Sequence, residues 1–332
     1  MQQRPLGRAG LLVSRLALGT MTWGRDTTSD DAAAQLKTFV AAGGNLLDTA
    51  DVYGDGEAES VIGGLLASAV SRHDVLIATK AGLRPDRERR RDASRGHLLS
   101  VLDASLARLG VDHVDLWQVH GYDPATPLEE TLAALDDLVC AGKVLYVGAS
   151  NFRAYRLMKA LALSDRHGWA RFVSLQPQYN LLVRTIEREH FALAAEEGLG
   201  LITWSPLAAG MLTGKITRER KPPESRLAQR DMPLYRFYFN ERAFGIVDVL
   251  VAAAREAGCT PAQLALAWQL EKPEITSVII GARNLAQLED NLGATAVHVS
   301  PEIMTRLEDA TRIAPEYPGV FIDFIQAWLG NR

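Results

Sequence analysis

Short runs of apolar residues alternate along the chain with longer segments whose apolar residues recur every three or four positions. The short runs predict buried β-strands, and the longer segments predict helices with one apolar face. We place the strands at 16–19, 45–48, 75–79, 114–119, 144–149, 172–176, 199–204 and 276–280. Because a helix returns the chain between successive strands, the strands are expected to run parallel. Eight such units favour a closed (β/α)8 TIM barrel, an α/β fold, over an open doubly wound sheet.

Two of the helical segments show an apolar face most clearly. One face is formed by Ala33, Leu36, Val40 and Ala41, and the other by Leu98, Val101, Leu102, Leu106 and Leu109. Both faces are expected to pack against the barrel.

Three features extend this minimal barrel. Glycine turns between short apolar runs from Arg4 to Val13 predict an N-terminal β-hairpin. About 70 residues separate the last two strands, enough for a basic loop (Lys215 to Arg242) and two helices near 240–257 and 261–271. The barrel therefore gains an extra helix before its seventh helix, and Thr260 and Pro261 are typical of a helix start.

After a helix near 301–311, the chain ends in an aromatic tail in which Phe321, Phe324, Ile325 and Trp328 recur at helical spacing. No composition shift or repeat divides the sequence, so residues 1–332 are predicted to form a single domain.

Composition narrows the function. Of 332 residues, 47% are hydrophobic and 23% are charged, with a formal net charge of −4, which gives no reason to expect nucleic acid or a membrane as partner. No signal peptide or membrane span of roughly 20 apolar residues is visible, so a cytoplasmic location is expected. Cys140 and Cys259 are predicted to be buried free thiols, and the scattered histidines predict no metal site.

Ionisable residues stand at the ends of three successive predicted strands. Asp48 and then Tyr53 follow one strand, Lys80 follows the next, and His120 follows the third. Singly, each has an ordinary interpretation: a loop cap, a packed aromatic, a surface-reaching lysine, a histidine bonded at a strand end. Because the carboxyl ends of barrel strands meet at one face, together they predict an active site.

The four side chains suit proton transfer to or from a carbonyl or alcohol oxygen. Lys80 beside the Tyr53 phenol would lower a pKa that starts at about 10, and Asp48 would balance the lysine charge. A phenol adjusted in this way is a general acid, and His120 could orient the same oxygen. None of these groups carries a hydride, so a redox reaction would need a cofactor.

The remaining strand ends offer groups that could hold such a cofactor. Ser150, Asn151 and Gln176 could bind an amide, and Trp204 could stack on a heteroaromatic ring. Arg283, after Gly281, stands at a predicted helix start suited to a phosphate, and Gln287 and Asn291 follow on that helix. The sequence has no GxGxxG motif, and Gly210 to Lys215 resembles a P-loop but is too short.

These residues resemble the aldo-keto reductase superfamily, over about Arg4 to Arg312. The matching stretches are Asp48-Thr49-Ala50-Asp51-Val52-Tyr53-Gly54, Ala78-Thr79-Lys80, Gln118-Val119-His120, Gly142 to Asn151, Gln176 to Asn180, Trp204-Ser205-Pro206-Leu207 and Gly281-Ala282-Arg283. The long insertion is similar to the branch that contains bacterial aldo/keto reductases and potassium-channel β subunits. The resemblance implies a (β/α)8 barrel that binds NADP(H) and reduces aldehydes or ketones.

The resemblance also implies a role for each residue. Tyr53 would be the general acid, Lys80 and Asp48 would adjust it, and His120 would position the carbonyl. The nicotinamide would lie against Gly19, Thr20, Met21, Asp48, Ser150, Asn151, Gln176 and Trp204. The pyrophosphate would lie along Ser205, Pro206, Leu207, Ala208, Gly210 and Lys215. The adenosine end would lie near Gly281, Arg283, Gln287, Asp290 and Asn291, where Asp290 replaces the usual glutamate.

The substrate is expected to be a small carbonyl compound contacting Tyr53, His120, Trp23 and Tyr122. The Lys215–Tyr238 loop and the 312–332 tail are further candidates for the pocket wall. The protein is expected to be a monomer or a homo-oligomer. Two alternatives stay open: a cofactor-binding partner protein of the channel β-subunit type with incidental turnover, and a non-redox barrel isomerase.

Overall fold

Eight parallel strands close into a barrel in the computed structural model, which describes residues 1–84, 87–223, 225 and 238–330. The barrel strands are β3 (Leu16–Gly19), β4 (Leu46–Asp48), β5 (Leu76–Ala81), β6 (Val114–Val119), β7 (Val144–Ser150), β8 (Phe172–Gln176), β9 (Gly200–Thr203) and β10 (Ile275–Gly281). The predicted barrel is confirmed, and every predicted strand lies within two residues of an observed one.

The ring closes where the first and last barrel strands pair. β10 pairs in parallel with β3, with Val278 opposite Leu16, and the other neighbours pair in chain order. Gly19 is needed here, because a Cβ on it would lie 2.7 Å from Cγ2 of Ile279. All eight carboxyl ends therefore meet at one face of the barrel.

Helices cover the outside of the barrel and fill its insertion. They are α1 (Ser29–Ala41), α2 (Glu57–Ser68), α3 (Arg95–Leu109), α4 (Leu128–Cys140), α5 (Ala154–His167), α6 (His190–Glu197), α7 (Glu241–Glu256), α8 (Pro261–Leu270), α9 (Leu285–Gly293), α10 (Pro301–Thr311) and α11 (Gly319–Gly330). The helices predicted near 240–257, 261–271 and 301–311 are confirmed as α7, α8 and α10. Residues 224 and 226–237 of the predicted basic loop lie outside the described residues.

The start of α8 follows from its first residues. The Thr260 hydroxyl accepts a hydrogen bond of 3.1 Å from the Gln263 N–H, and the Gln263 side chain accepts one of 3.1 Å from the Thr260 N–H. This reciprocal capping box satisfies two N–H groups that the helix leaves unpaired, and Pro261 occupies the first helical position.

The predicted face of α3 is confirmed and that of α1 is wrong in phase. Leu98, Leu102, Leu106 and Leu109 are all buried on α3. On α1 the buried residues are Ala32, Gln35, Leu36 and Phe39, whereas Ala33 and Val40 are half-buried and Ala41 is exposed. The large Phe39 ring lies directly under Gly44, on the buried face of this helix.

The predicted hairpin closes the amino-terminal end of the barrel. β1 (Gln3–Pro5) pairs antiparallel with β2 (Leu12–Ser14). Leu6 and Val13 of the hairpin are fully buried in one cluster with residues from inside the barrel, namely Ala17, Leu46, Ala78, Leu116 and Ile202. Because this end is filled with apolar side chains, a ligand site is expected only at the carboxyl end.

The tail and the cysteines differ from expectation in their exposure. The tail is helical as predicted, but most apolar side chains of α11 are exposed, including Phe321, Phe324 and Trp328. Cys140 and Cys259 are free thiols as predicted, but neither is fully buried: Cys140, the last residue of α4, is exposed, and Cys259 is partly exposed. No helix in the described ranges is long and apolar enough to cross a membrane.

Candidate active site

Asp48, Tyr53, Lys80 and His120, which we call the tetrad, meet at the carboxyl end of the barrel. Asp48 is the last residue of β4, Lys80 lies near the end of β5, and His120 directly follows β6. Tyr53 begins a short 3₁₀ turn, Tyr53–Gly56, after β4. The structure thus brings the predicted constellation together.

The Lys80 ammonium is the centre of this constellation. It donates to Oδ2 of Asp48 over 2.8 Å, to the Thr49 carbonyl over 2.7 Å and to the Tyr53 hydroxyl over 3.3 Å. An ammonium has three N–H donors, so all of them are used. Lys80 is fully buried. Burial lowers its pKa, but the charges and hydrogen bonds of Asp48 and Tyr53 outweigh burial, and the pKa of Lys80 is raised.

Asp48 is held from two sides of the barrel. Its second oxygen, Oδ1, accepts a hydrogen bond of 2.7 Å from Nε2 of Gln176. The same Gln176 nitrogen lies 3.4 Å from Oε1 of Gln118. The predicted contact of Gln176 with a cofactor amide stays a prediction, and its Nε2 points into the barrel, where it supports the counter-ion of the lysine.

The loop after β4 fixes the position of the Tyr53 ring. The Asp51 N–H donates to the Lys80 carbonyl over 3.1 Å, and the Tyr53 N–H donates to the Ala50 carbonyl over 3.1 Å. Gly54, Asp55 and Gly56 then take positive φ angles, which turn the chain back into α2. The Tyr53 hydroxyl therefore faces the ammonium, whose nitrogen lies 4.9 Å from the ring centroid.

His120 stands beside Tyr53 as a neutral imidazole. The two rings meet edge to face, with centroids 6.0 Å apart. Burial, together with the nearby Lys80 charge, lowers the pKa of His120 to about 3. Its Nδ1 is buried and has no hydrogen-bond partner among the described residues. The ring can therefore exchange a hydrogen bond with a bound ligand but does not carry a positive charge at neutral pH.

Polar residues from the next three strands form a chain of hydrogen bonds beside the tetrad. The Ser150 hydroxyl donates to the Gln176 carbonyl over 2.9 Å, and the Asn151 amide donates to the Ser150 hydroxyl over 2.9 Å and to the His120 carbonyl over 3.0 Å. The Trp204 indole N–H donates to Oδ1 of Asn151 over 3.1 Å. This chain fixes the indole of Trp204, which is partly exposed at the end of β9.

The loop after β9 is held in an unusual backbone conformation. Ser205, Ala208 and Ala209 are non-glycine residues with positive φ, and Gly210 has a φ of 97°. The Ser205 carbonyl accepts from the Asn180 amide over 2.9 Å, and the Pro206 carbonyl lies 3.4 Å from the Gln269 amide. Leu207 is half-buried and Lys215 is exposed. Positive φ in successive residues turns backbone N–H groups to one side, an arrangement that favours anions.

The end of β10 leads directly into α9. The Arg283 N–H donates to Oε1 of Gln287 over 3.0 Å, and the Asn291 amide lies 3.4 Å from the Gly281 carbonyl. Gln287 and Asn291 therefore face this turn, as their spacing predicts. Asp290 points away from it, because its carboxylate accepts from the Thr260 hydroxyl over 3.1 Å.

The predicted contacts at the end of β3 divide into two groups. The Thr20 N–H and hydroxyl both donate to the Asp48 carbonyl, over 2.9 and 3.1 Å, and Gly19 and Met21 flank it with partial exposure. Trp23 was expected over the substrate. It is instead fully buried, with its indole N–H donating to Oε1 of Gln35 over 3.2 Å. Because it is fully buried, Trp23 does not line the open end of the barrel.

A second buried group behind the tetrad was missed by sequence reasoning. Glu59, fully buried on α2, accepts from the Thr79 hydroxyl over 2.5 Å and from Arg108 over 2.6 and 2.9 Å. Burial and the Glu59 charge raise the pKa of Asp51 to about 7. Thr79 directly precedes Lys80, and Asp51 lies two residues before Tyr53. In the sequence, the only sign of this buried group is a carboxylate on the helix that follows Tyr53.

The donor set fits a nicotinamide nucleotide along the rim from β7 to β10. Trp204 offers a fixed, partly exposed ring, the positive-φ loop offers backbone N–H groups, and Arg283 precedes the N-terminus of α9. A Cβ on Gly210 or Gly281 would meet no atom within 4 Å, so space is open beside both. Among the described residues, no group of three or more histidine, cysteine or acidic side chains could hold a metal ion.

Comparison with known proteins gives a consistent result over almost the whole chain. The model of the Aldo/keto reductase family matches residues 15–312. A probable voltage-gated potassium channel subunit beta of Oryza sativa is 35% identical over 325 residues, covering 95% of this chain and 98% of that protein. The uncharacterized oxidoreductase YrpG of Bacillus subtilis is 35% identical, covering 93% and 95%. The protein Tas of Escherichia coli is 34% identical, covering 93% and 97%.

Proposed function

The chain belongs to the aldo/keto reductase family, and from that premise we propose that it reduces a small aldehyde or ketone to an alcohol with NADPH. The observation that carries the proposal is the buried Lys80 ammonium, which joins Asp48 at 2.8 Å to the Tyr53 hydroxyl at 3.3 Å. Such an arrangement stabilises negative charge on a phenol oxygen, as a proton donor to a carbonyl requires.

The proposed cofactor site follows the rim from β7 to β10. When bound, NADPH would supply the hydride that no side chain of the protein can provide. Trp204 would support the nicotinamide, the Ser205–Gly210 loop would receive the pyrophosphate, and Arg283 would bind the 2′-phosphate. Ser150 and Asn151 would reach the carboxamide by exchanging hydrogen bonds that they now make with each other.

Three side chains at the site, those of His120, Lys80 and Tyr53, contain a proton attached to nitrogen or oxygen, and two of them are poor proton donors. His120 is neutral at pH 7 because burial and the Lys80 charge lower its pKa to about 3. Lys80 has a raised pKa and all three of its N–H donors are engaged. Tyr53 remains, and we assign it as the general acid.

In the proposed step, the carbonyl oxygen lies between Tyr53 and His120. As the carbonyl carbon gains a hydride, the Tyr53 O–H bond breaks and its proton passes to the carbonyl oxygen, giving the alcohol. Lys80 then stabilises the phenolate until solvent returns the proton. Neutral His120 donates a hydrogen bond to the same oxygen and so orients the carbonyl, and Asp48 keeps the ammonium in place.

The test is NADPH consumption with a panel of aldehydes, ketones and sugars, measured for the parent protein and for Tyr53→Phe. We expect the variant to lose roughly 10²–10⁴-fold in turnover and to keep its NADPH affinity, measured by quenching of tryptophan fluorescence. Tyr146→Phe is the matched control, because Tyr146 lies on β7 near the hairpin at the opposite end of the barrel. Equal turnover in parent and Tyr53→Phe would overturn the assignment.

A second function has one observation in its favour. The rice relative, matched over 98% of its length, is named as a probable channel subunit. A partner protein of that kind would bind the nucleotide and a second protein with only incidental turnover. A tight protein complex that forms equally well with Tyr53→Phe, together with negligible carbonyl reduction, would favour this alternative over the reductase.

A further inference from the structure

The loop after β5 is strongly basic. Between residues 84 and 95 it carries six arginines against three carboxylates, although the whole chain has a net charge of −4. Leu83 forms an antiparallel bridge with Arg91, and the Arg84 N–H donates to the Arg90 carbonyl over 2.9 Å. Since the loop directly follows the strand that carries Lys80, its charges lie at the open end of the barrel.

Two carboxylates fix this loop by forming ion pairs with its arginines. Asp92 pairs with Arg84 over 2.8 Å, and Asp123 pairs with Arg89 over 2.8 Å. Asp123 also accepts from the Ala93 N–H and the Thr126 hydroxyl. Burial raises the pKa of Asp123, but these hydrogen bonds outweigh burial and lower it to about 2. The charges of Asp92 and Asp123 are therefore already balanced by Arg84 and Arg89.

Two further arginines converge on Tyr122, which lies two residues after His120. Arg91 donates from Nη1 to the Tyr122 carbonyl over 3.2 Å. Arg156, from the first turn of α5, places its guanidinium carbon 4.6 Å from the centroid of the Tyr122 ring. Within the described ranges, neither guanidinium forms an ion pair with a carboxylate. Two positive charges thus flank Tyr122, the residue predicted to contact the substrate.

We propose that the substrate carries a negatively charged group, a carboxylate or a phosphate monoester, which Arg91 and Arg156 bind while its carbonyl lies between Tyr53 and His120. Guanidinium groups suit this task because they remain charged and bind such oxyanions through paired hydrogen bonds. The inference rests on the proposed reductase function and adds the class of substrate to it.

The experiment compares carbonyl compounds that differ in charge. One pair is 4-carboxybenzaldehyde and its neutral methyl ester, and the other is glyceraldehyde 3-phosphate and glyceraldehyde. For each, kcat/KM is measured from NADPH consumption at 50 and at 500 mM NaCl. We expect a preference of roughly tenfold or more for at least one anionic compound at low salt, falling at high salt because the guanidinium groups are at the surface. The pair with the larger ratio identifies carboxylate or phosphate.

Variants assign the preference to the two arginines. Arg91→Gln/Arg156→Gln should raise KM for the anionic compound and bring the ratio close to one. Arg91→Lys/Arg156→Lys keeps the two charges but loses the paired hydrogen bonds, so it should retain part of the preference. Arg306→Gln is the control, since Arg306 lies on α10 and pairs with Glu256 on α7. If only the shape of the loop mattered, the lysine and glutamine variants would lose the preference equally, and this result would overturn the inference.

The remaining outcomes distinguish a failure of the proposed substrate class from a failure of the proposed reductase function. Turnover of both neutral compounds at rates equal to or above those of their anionic partners would overturn the substrate class and leave the reductase standing. No NADPH consumption with any of the four, by protein that still binds NADPH, would count against the reductase proposal and would remove this inference with it.

Discussion

Gln176 and Asp48 are joined across the barrel by a hydrogen bond of 2.7 Å from Nε2 to Oδ1. Their strands, β8 and β4, are four positions apart in a ring of eight, so the bond spans the lumen. With Lys80 bound to the other carboxylate oxygen at 2.8 Å, Asp48 has a fixed orientation. The position of the ammonium, and so of its contact with Tyr53, depends on this bond from the far side of the barrel.

Gln176→Leu should therefore weaken both the fold and the reaction. It leaves Oδ1 of a buried carboxylate without its donor, which costs about 1–3 kcal/mol of unfolding free energy, and it should lower kcat because the lysine loses a fixed counter-ion. Denaturant unfolding and NADPH consumption measure the two effects. Ser174→Ala is the control on the same strand, since the Ser174 hydroxyl is buried and has no hydrogen-bond partner among the described residues. Equal losses in both variants would show that the bond to Asp48 has no special effect.

The Asp48–Lys80 pair allows stability to be separated from chemistry. Lys80→Met leaves a buried carboxylate without its cation and should cost about 3–5 kcal/mol. Asp48→Asn/Lys80→Met should recover much of that loss, since no unpaired buried charge remains. Neither variant should regain turnover, because Tyr53 lacks its ammonium in both. We would read stability from urea midpoints, and a double variant that is active would disprove the role of Lys80.

Much of the fold and the tetrad could be predicted because both depend on periodicity and chain order. Eight alternating short and long apolar segments favour a barrel, and a barrel brings the strand ends that carry Asp48, Lys80 and His120 to one face. The direction of a side chain depends on strand tilt and register, which the pattern does not contain. For this reason the inward turn of Gln176 and the burial of Trp23 against Gln35 were not foreseen.

Charge networks behind the strands were equally hidden from the sequence. Glu59 and Arg108 are 49 residues apart and meet because α2 packs on α3. Glu59 lies on the buried face of α2 with Ala58, Ile62 and Leu65, but the sequence does not show which partners its carboxylate finds there. Its effect on Asp51 is visible only once the two helices are in place.

Arg283→Ala should reduce the affinity for NADPH far more than that for NADH. A guanidinium that binds the 2′-phosphate contributes a charge-assisted hydrogen bond of about 1.5–3 kcal/mol, or roughly ten- to a hundredfold in Kd, and NADH lacks this phosphate. Titration of tryptophan fluorescence with each nucleotide gives both constants, and Arg306→Ala is the control. An equal change for the two nucleotides would place the 2′-phosphate elsewhere.

Asp51→Asn should stabilise the protein at high pH and not at low pH. Burial and the Glu59 charge raise the pKa of Asp51 from 3.8 to about 7 in the folded state. Between these values the folded protein holds a proton that the unfolded chain has released, so the stability that this proton provides is lost as pH rises towards 7. Asparagine cannot ionise and removes this loss, which is at most about 1.4 kcal/mol for each pH unit.

Urea unfolding at pH 4.5 and at pH 8 measures the difference in stability between Asp51→Asn and the parent protein, with Asp323→Asn on the exposed α11 as control. If Asp51→Asn raised the free energy of unfolding equally at both pH values, Asp51 would be ionised at both, and the folded protein would hold no proton on this carboxyl near Tyr53.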